Sequence, residues 1–489
     1  MSWDTDWLKK RARITPDRVA VVDGETRERW TYDNLNERAE HQASLLLDQG
    51  IGKGDRVALL APNTVSYFDL LFACMKLGAI FVPLNWRLSS KEIAYILQDC
   101  QPKLLAYDDK FLPLIPNKYE GILLGVQQLL AGSQPIIPFD VSIEENDPLA
   151  IIYTGGTTGH PKGAVLTHKS VFYNAINTII SWNLTCEDTT VTYMPMFHTG
   201  GLNALSLPLL HIGGKVVIAD KFEPNHLIDV INEEQCTILL LVPTMYHVLI
   251  QSERFQKAAF PSMHTFLSGG APCSYRIYEA FAKKGLAFKE GYGLTEAGPN
   301  NFYINTRDVV NKRGSVGKPM LYNNVKIIDD DGRDVGSSEV GEILISGHHL
   351  FDHYWNSPSI TAATIKNGWL YTGDLGKYDE DGYFYIVGRK KDMIITGGEN
   401  VFPLEVEHVI AEHDLVTEVA VVGVADEKWG EIVTAFIVPK GGLTEAEVLT
   451  YCRTYLGSYK VPKVIRFVSQ LPKTAVGKID KKQLVEMMA

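Results

Sequence analysis

The chain has 489 residues, with 47 Lys and Arg against 58 Asp and Glu, a formal net charge of −11 and 45% hydrophobic residues. Such composition excludes a disordered, collagen-like or disulfide-framework chain, and the acidic balance excludes a broad nucleic-acid or anionic-membrane surface. The length predicts about two to four domains. The first segment, MSWDTDWLKKRARITPDR, carries charges where a signal peptide has its apolar centre. Next, GDRVALLAPN reads as a strand, about Tyr67 to Lys76 as a helix and AIFVPL as a second strand. Ser89 is a helix N-cap for SKEIAYILQDC, and KLLAY is a third strand. This rhythm predicts parallel sheet covered by helices, and similar alternation returns after Gly163 through VTYMP, KVVIA and TILLLV.

From about Tyr322 the texture changes to short strands, NVKIID, GEILISG and YFYIVG, separated by D-D-G and E-D-G turns, which predicts an antiparallel unit. Past Gly388 come the charged run RKKD and an α+β segment: the helix PLEVEHVIAEH, strands VAVVGV and TAFIVP, and a helix opening on the capping box Thr444–Glu447. A domain boundary, with a hinge, is expected at Gly388–Asp392. The domains are therefore 1–388 and 389–489. Cys74, Cys100, Cys186, Cys236, Cys273 and Cys452 show no metal-ligand spacing, which fits free thiols in a reducing cytoplasm. No apolar run approaches the ~20 residues of a membrane span.

Four segments carry chemistry. Tyr153-Thr-Gly-Gly-Thr-Thr-Gly-His-Pro-Lys-Gly163 offers backbone N–H groups, hydroxyls and one cation, a combination suited to wrapping a polyphosphate. A plain Gly-rich turn explains its glycines but not its threonines together with Lys162. A Walker A loop fails because Pro161 precedes Lys162 and Gly163 follows it. Gly291-Tyr-Gly-Leu-Thr-Glu-Ala-Gly298 places an aromatic face, a hydroxyl and a carboxylate between glycines; Glu296 is a candidate Mg²⁺ ligand beside a phosphate loop. Tyr371-Thr-Gly-Asp374 supplies an acceptor for ribose hydroxyls, and Pro472-Lys-Thr-Ala-Val-Gly-Lys478 a lysine on a Gly turn. Taken singly, the last two read equally well as solvated surface.

In this order, with Gly388-Arg-Lys-Lys-Asp392 and Thr396-Gly-Gly-Glu-Asn400 between the third and fourth, the segments resemble the acyl-adenylate-forming (AMP-binding) superfamily. That superfamily holds acyl-CoA synthetases, peptide-synthetase adenylation domains and firefly luciferase. The resemblance runs from WTYDNLNERA at Trp30 to Lys482, and is greatest to stand-alone bacterial AMP-forming acyl-CoA synthetases of fatty- or aryl-acid type. It implies an α/β fold, with parallel αβαβα-type sheets and a β-barrel-like subdomain in the large N-terminal domain and a small mobile α+β C-terminal domain. It also implies a two-step reaction. A carboxylate attacks the α-phosphate of Mg·ATP, giving acyl-AMP and pyrophosphate, and the CoA thiol then displaces AMP.

By the same resemblance Thr154, Gly155, Gly156, Thr157, Thr158, Gly159 and Lys162 hold the β- and γ-phosphates, Thr295 touches the α-phosphate and Glu296 holds Mg²⁺. Tyr292 and Gly293 lie at the adenine opposite Gly269, Gly270, Ala271 and Pro272, while Asp374 and Arg389 take the ribose. Lys478 is the catalytic lysine of adenylation, a point charge on a flexible stem. His198, in MPMFHTGG, borders the acyl pocket, with an ordinary core histidine as the other reading. Lys391 is the pivot, and Gly397, Gly398 and Glu399 line the CoA tunnel. One departure is visible: Gly155 stands where the family commonly has Ser, which predicts weaker ATP handling.

The expected substrate is an apolar monocarboxylic acid, a medium- or long-chain fatty acid or an aryl acid, because Gly200, Gly201, Gly293 and Gly298 suggest an open pocket without a basic residue. The partners implied are that acid, ATP and CoA, with no nucleic acid and no integral membrane segment, and a homodimer is left open. A ligase loading a separate carrier protein is the second reading. A non-catalytic ligand-binding relative is third, disfavoured because Lys478, Glu296 and Asp374 are all present.

Overall fold

The computed structural model describes residues 5–130, 136, 141–155, 161–474 and 479–488. Strands Ile122–Gly125, Leu104–Tyr107, Arg56–Leu60, Ile80–Pro83 and Pro148–Thr154 run parallel in that spatial order. Leu104, Leu105, Ala106, Val57, Ala58, Leu59 and Leu60 are all buried, the near-continuous apolar run expected of strands covered on both faces. Two further strands extend one edge, each antiparallel to its neighbour: Lys162–Thr167 on Pro148–Thr154, and His353–Tyr354 on Lys162–Thr167. The helix Ser66–Leu77 is buried all round, which is why it reads as apolar without an amphipathic stripe. Its one carboxylate, Asp69, is neutralised by Arg38 at 2.6 Å.

A second sheet pairs Val19–Asp23 in parallel with Lys215–Ile218, which in turn pairs with Thr189–Thr192. Three parallel strands, Ile238–Leu241, Thr265–Ser268 and Phe288–Glu290, form another. The antiparallel unit is a seven-stranded sheet containing Asn324–Ile328, Gly341–Ser346, Trp369–Tyr378 and Phe384–Arg389. Beyond it, Val416–Asp426 and Gly430–Pro439 form a long antiparallel pair, covered by helices Pro403–Ala411 and Glu445–Tyr455. The capping boxes Ser89–Glu92 and Thr444–Glu447 both form.

Among the described residues, one core runs from Ile394 to Ile465 and a smaller one from Ala420 to Leu484, with no member from before residue 388. The other three cores draw every member from residues up to Tyr383, Phe384 and Ile386. The C-terminal part docks on the rest through polar and aromatic edges: Arg276 lies 3.4 Å from Asp414, and the rings of Tyr275 and His408 lie 6.3 Å apart.

Candidate active site

Thr154 stands opposite Lys162 across the antiparallel pair, which puts both residues at the carboxyl end of the parallel strand Pro148–Thr154, where open α/β sheets place ligands. This end of the pair is fixed. The Thr154 hydroxyl donates to the Lys162 carbonyl at 3.4 Å, and the Tyr153 hydroxyl donates to Asp99 Oδ2 at 2.6 Å. Trp355 closes the other side, donating its backbone N–H to the Gly163 carbonyl at 2.7 Å and its indole N–H to the Asp99 carbonyl at 3.2 Å. Gly163 is required by this contact, since a Cβ there would lie 2.6 Å from Ile151 Cγ2 and 3.3 Å from Trp355 Cβ. A Cβ on Gly155 meets nothing within 4 Å. Gly156, Thr157, Thr158 and Gly159 lie outside the described residues.

Thr295–Ala297 is a short 3-10 turn, with Thr295 buried. Glu296 is gripped twice: Phe351 donates its N–H to the Glu296 carbonyl at 2.9 Å, and the Tyr354 hydroxyl donates to Glu296 Oε1 at 2.7 Å. Burial, with the adjoining Glu296 charge, raises the Tyr354 phenol far above its ordinary range, so it remains a protonated donor. Lys162 Nζ lies 5.6 Å from the centroid of the same ring. Among the described residues neither Glu296 Oε2 nor Lys162 Nζ has a hydrogen bond or ion pair.

A second junction joins three of the motifs. Asp374 accepts from the Tyr292 hydroxyl at 2.6 Å on Oδ2 and from Arg389 Nε at 2.9 Å on Oδ1. Burial lowers the Arg389 pKa, and the Asp374 charge and hydrogen bond, with Tyr292 and Asp392, together more than offset this, so the net shift is upward. The Gly291 N–H donates to the Ser268 carbonyl at 2.8 Å, which brings Tyr292 to the turn Gly269, Gly270, Ala271 and Pro272. Gly270 sits at φ +84°, and Gly270, Ala271 and Pro272 are exposed. Under this turn the Glu290 carboxylate accepts from the Cys273 N–H at 3.1 Å and from the Tyr278 hydroxyl. Burial pushes Glu290 up to about 7.

His198 is half-buried and caps the turn Thr199–Leu202, its Nδ1 accepting from the Gly200 N–H at 3.1 Å. Three of the four glycines offered as signs of an open pocket have another cause, whereas a Cβ on Gly200 would make only ordinary contacts, 3.4 Å from His198 Nδ1 and 3.5 Å from Met194 Cε. A Cβ on Gly201 would lie 2.3 Å from the Pro195 carbonyl oxygen, one on Gly293 2.2 Å from Pro299, and one on Gly298 2.6 Å from Asn174 Oδ1. Close backbone approach demands glycine at Gly201 and Gly293, and the Asn174 side chain with φ +68° demands it at Gly298, so these three carry no information about cavity size. In the C-terminal part Lys391, Gly397, Gly398 and Glu399 are exposed, and Gly397 and Gly398 turn the hairpin Ile394–Val401 at φ +61° and +85°. No hydrogen bond or ion pair among the described residues joins these four to the Glu296 or Asp374 junctions. Lys478 lies outside the described residues.

Tyr354, Trp355, Asp99 and Glu290 were not singled out from the sequence. The string HYWNSP gives only two aromatics before a turn, and their partners stand some 58 and 256 residues away in the chain.

The chain matches the family model for the AMP-binding enzyme over residues 8–355 and that for the AMP-binding enzyme C-terminal domain over residues 405–478. It belongs to the AMP-binding enzyme family. It is 37% identical to a feruloyl-CoA synthase of an Amycolatopsis species, covering 97% of each chain. It is 36% identical to the long-chain-fatty-acid–CoA ligase FadD13 of Mycobacterium tuberculosis, over 98% of this chain and 97% of that one. Among solved structures, o-succinylbenzoate CoA synthetase (MenE) of Bacillus subtilis with its acyl-adenylate intermediate matches at TM-score 0.91 and 30% identity, over 98% and 97% of the two chains. A double mutant of the same synthetase with a product analogue matches at TM-score 0.75 and 30% identity, over 98% of each chain.

Proposed function

We propose that the protein is an AMP-forming acid–CoA ligase that activates an apolar monocarboxylic acid, aryl or fatty, in two steps. The observation that carries this reading is the segment Gly291–Gly298: at Tyr292 it reaches the Asp374–Arg389 pair, and at Glu296 it reaches Tyr354, over whose ring Lys162 lies. One short segment thus connects a ribose-type acceptor with a phosphate-type cation and a carboxylate free to take a divalent ion. Full-length similarity to CoA ligases supports the acceptor, and the feruloyl-CoA and long-chain relatives support the acid class.

In the first step the carboxylate of the acid and the α-phosphate of ATP, both anionic, must meet, so the protein's task is to supply positive charge and oriented donors. Lys162 with the N–H groups and hydroxyls of Thr154, Gly155, Gly156, Thr157, Thr158 and Gly159 takes the β- and γ-phosphates, Thr295 the α-phosphate, and Asp374 the ribose hydroxyls. A carboxylate still retains acceptor positions after bonding Tyr292 and Arg389. Glu296 fits Mg²⁺, because its Oε2 has no partner among the described residues and Mg²⁺ is ordinarily held by one or two carboxylates plus substrate phosphates. When bound there, Mg²⁺ supplies charge neutralisation on the phosphates. Lys478 bridges the acid and the α-phosphate, and the CoA thiol discharges the adenylate in the second step, once the C-terminal part has turned about Lys391.

The better fit to the acyl-adenylate form of MenE than to its product-analogue form, at equal identity, supports the adenylation arrangement of residues 1–388 and 389–489 here. A reducing, cytoplasmic setting accords with six unpaired cysteines. Among the described residues no helix is long and apolar enough to cross a membrane.

Pyrophosphate release with a panel of aryl and fatty acids, with and without CoA, tests the reading. Acid-dependent release followed by CoA-dependent AMP production is expected; no release with any acid sinks it, and an adenylate that CoA cannot discharge favours the carrier-protein reading. Lys478→Ala should abolish adenylation while largely sparing thioester formation from supplied acyl-AMP, and equal loss of both halves refutes the role given to Lys478.

A further inference from the structure

We propose that Tyr354 is a positioning residue that presents Glu296 to the divalent cation and Lys162 to the nucleotide phosphates, which rests on the reading of Glu296 and Lys162 given above. Three features carry it. The phenol donates to Oε1 of Glu296 at 2.7 Å, which fixes the carboxylate plane and leaves Oε2 facing away from its only protein donor among the described residues. The same ring lies under Lys162 Nζ at 5.6 Å, so one side chain touches both charged groups of opposite sign. Tyr354 is itself held hard: it is 7% exposed, its ring packs edge-on against Phe351 at 4.7 Å, its backbone pairs with Ala164, and its N–H donates to Thr361 Oγ1 at 2.9 Å.

The arrangement has a consequence beyond packing. Glu296 sits in a turn of three residues, whose backbone alone does not select a rotamer for a long side chain. Without the phenol the carboxylate samples several positions, and the entropy of ordering it falls on the binding of the cation. Lys162 faces the opposite hazard. Its ring partner Tyr354 also bonds the Glu296 carboxylate, and a direct ion pair between Lys162 and Glu296 would silence both. The ring gives the ammonium a weak, readily relinquished partner, while the hydroxyl occupies Oε1 of the carboxylate. Tyr354 thereby keeps the two charges apart until phosphate and cation arrive to join them.

Tyr354→Phe removes only the hydroxyl and keeps the packing against Phe351, so the fold is retained. The half-saturating Mg²⁺ concentration for acid-dependent pyrophosphate release should rise about tenfold, as loss of a partner that orients a metal ligand generally does, with kcat at saturating Mg²⁺ within about twofold of the parent. Thermal shift provides a readout independent of turnover: stabilisation by Mg·ATP should shrink in Tyr354→Phe, and stabilisation by ATP in chelator should not change. Tyr354→Leu removes the ring as well, and should in addition raise the KM for ATP about threefold to tenfold at saturating Mg²⁺. Glu296→Gln run alongside separates the two levels of the argument. A raised Mg²⁺ requirement in Glu296→Gln with an unchanged Tyr354→Phe overturns the role of Tyr354 alone. An unchanged requirement in Glu296→Gln overturns the assignment of Glu296 and the proposal with it. A fall in kcat that excess Mg²⁺ does not restore in Tyr354→Phe likewise overturns it, because that is the signature of general structural damage.

Discussion

At Asp374 both carboxylate oxygens are occupied by the protein, one by the Tyr292 phenol and one by Arg389, so the group is held in one orientation before any ligand arrives. Asp374→Asn keeps an acceptor for one of them but leaves the half-exposed Arg389 without its counter-charge. Loss of one charge-assisted bond is worth on the order of 2 kcal/mol, so the KM for ATP should rise about thirtyfold, read from initial rates of pyrophosphate release. Gly155 is the opposite case, a position with space to spare. If the Gly-rich segment takes the ATP phosphates as proposed, Gly155→Ser adds a hydroxyl donor there, and about 1 kcal/mol of added hydrogen bonding should lower the KM for ATP about fivefold. Unchanged ATP kinetics would remove the idea that Gly155 weakens nucleotide binding. Neither residue's setting could be read from the sequence, since Asp374 in a Thr-Gly-Asp turn looks like surface and a lone Gly says nothing of the room around it.

At the scale of elements, the periodic pattern located most strands and helices, and both capping boxes formed where Ser and Thr precede Glu by three residues. What it did not reveal was pairing. The strands on either side of the Gly-rich segment run antiparallel at the edge of an otherwise parallel sheet, and a two-residue strand at His353–Tyr354 closes the edge. Such a strand is too short to carry a period, and its importance comes from the long-range contacts of Tyr354 and Trp355. Likewise, Val19–Asp23 pairs with Lys215–Ile218 across nearly half the chain, which local patterning does not register. The antiparallel pair yields its own prediction. Gly163→Ala places a methyl group against Ile151, Tyr153 and Trp355, and overpacking of this kind costs about 1–3 kcal/mol. Urea unfolding should show that loss together with a raised KM for ATP, because the strand that must move carries Lys162.

The molecule as a whole has a pH response set by buried histidines. Burial lowers His168, His211 and His349 to about 4 from an ordinary 6.5. Between those values the unfolded chain binds more protons than the folded one. The stability each provides is therefore complete above pH 6.5 and is lost as pH falls toward 4, on the order of 3 kcal/mol per histidine. Glu290 acts in the other direction: burial pushes it up to about 7, so its contribution is full below about 4.5 and declines as pH rises through 7. The histidines outnumber it, and the urea midpoint should fall from pH 7 to pH 5. A midpoint that rises over this interval would contradict the balance. His349→Gln should flatten the slope, since it removes one titrating ring that bonds Asn301.

The cysteines, which carried no functional signal in the sequence, acquire a practical meaning from where they lie. Cys74, Cys100, Cys236, Cys273 and Cys452 are buried, and burial raises every one of these thiols. Only Cys186 is partly exposed. A thiol-directed dye at neutral pH therefore reacts at one native position, on the large N-terminal domain beside Glu187 and Arg18. A single introduced cysteine on the far part of the chain, at exposed Glu445, completes a donor–acceptor pair without stripping the protein of its own thiols. The distance between the two dyes would then report, molecule by molecule, whether CoA finds the two parts where ATP left them.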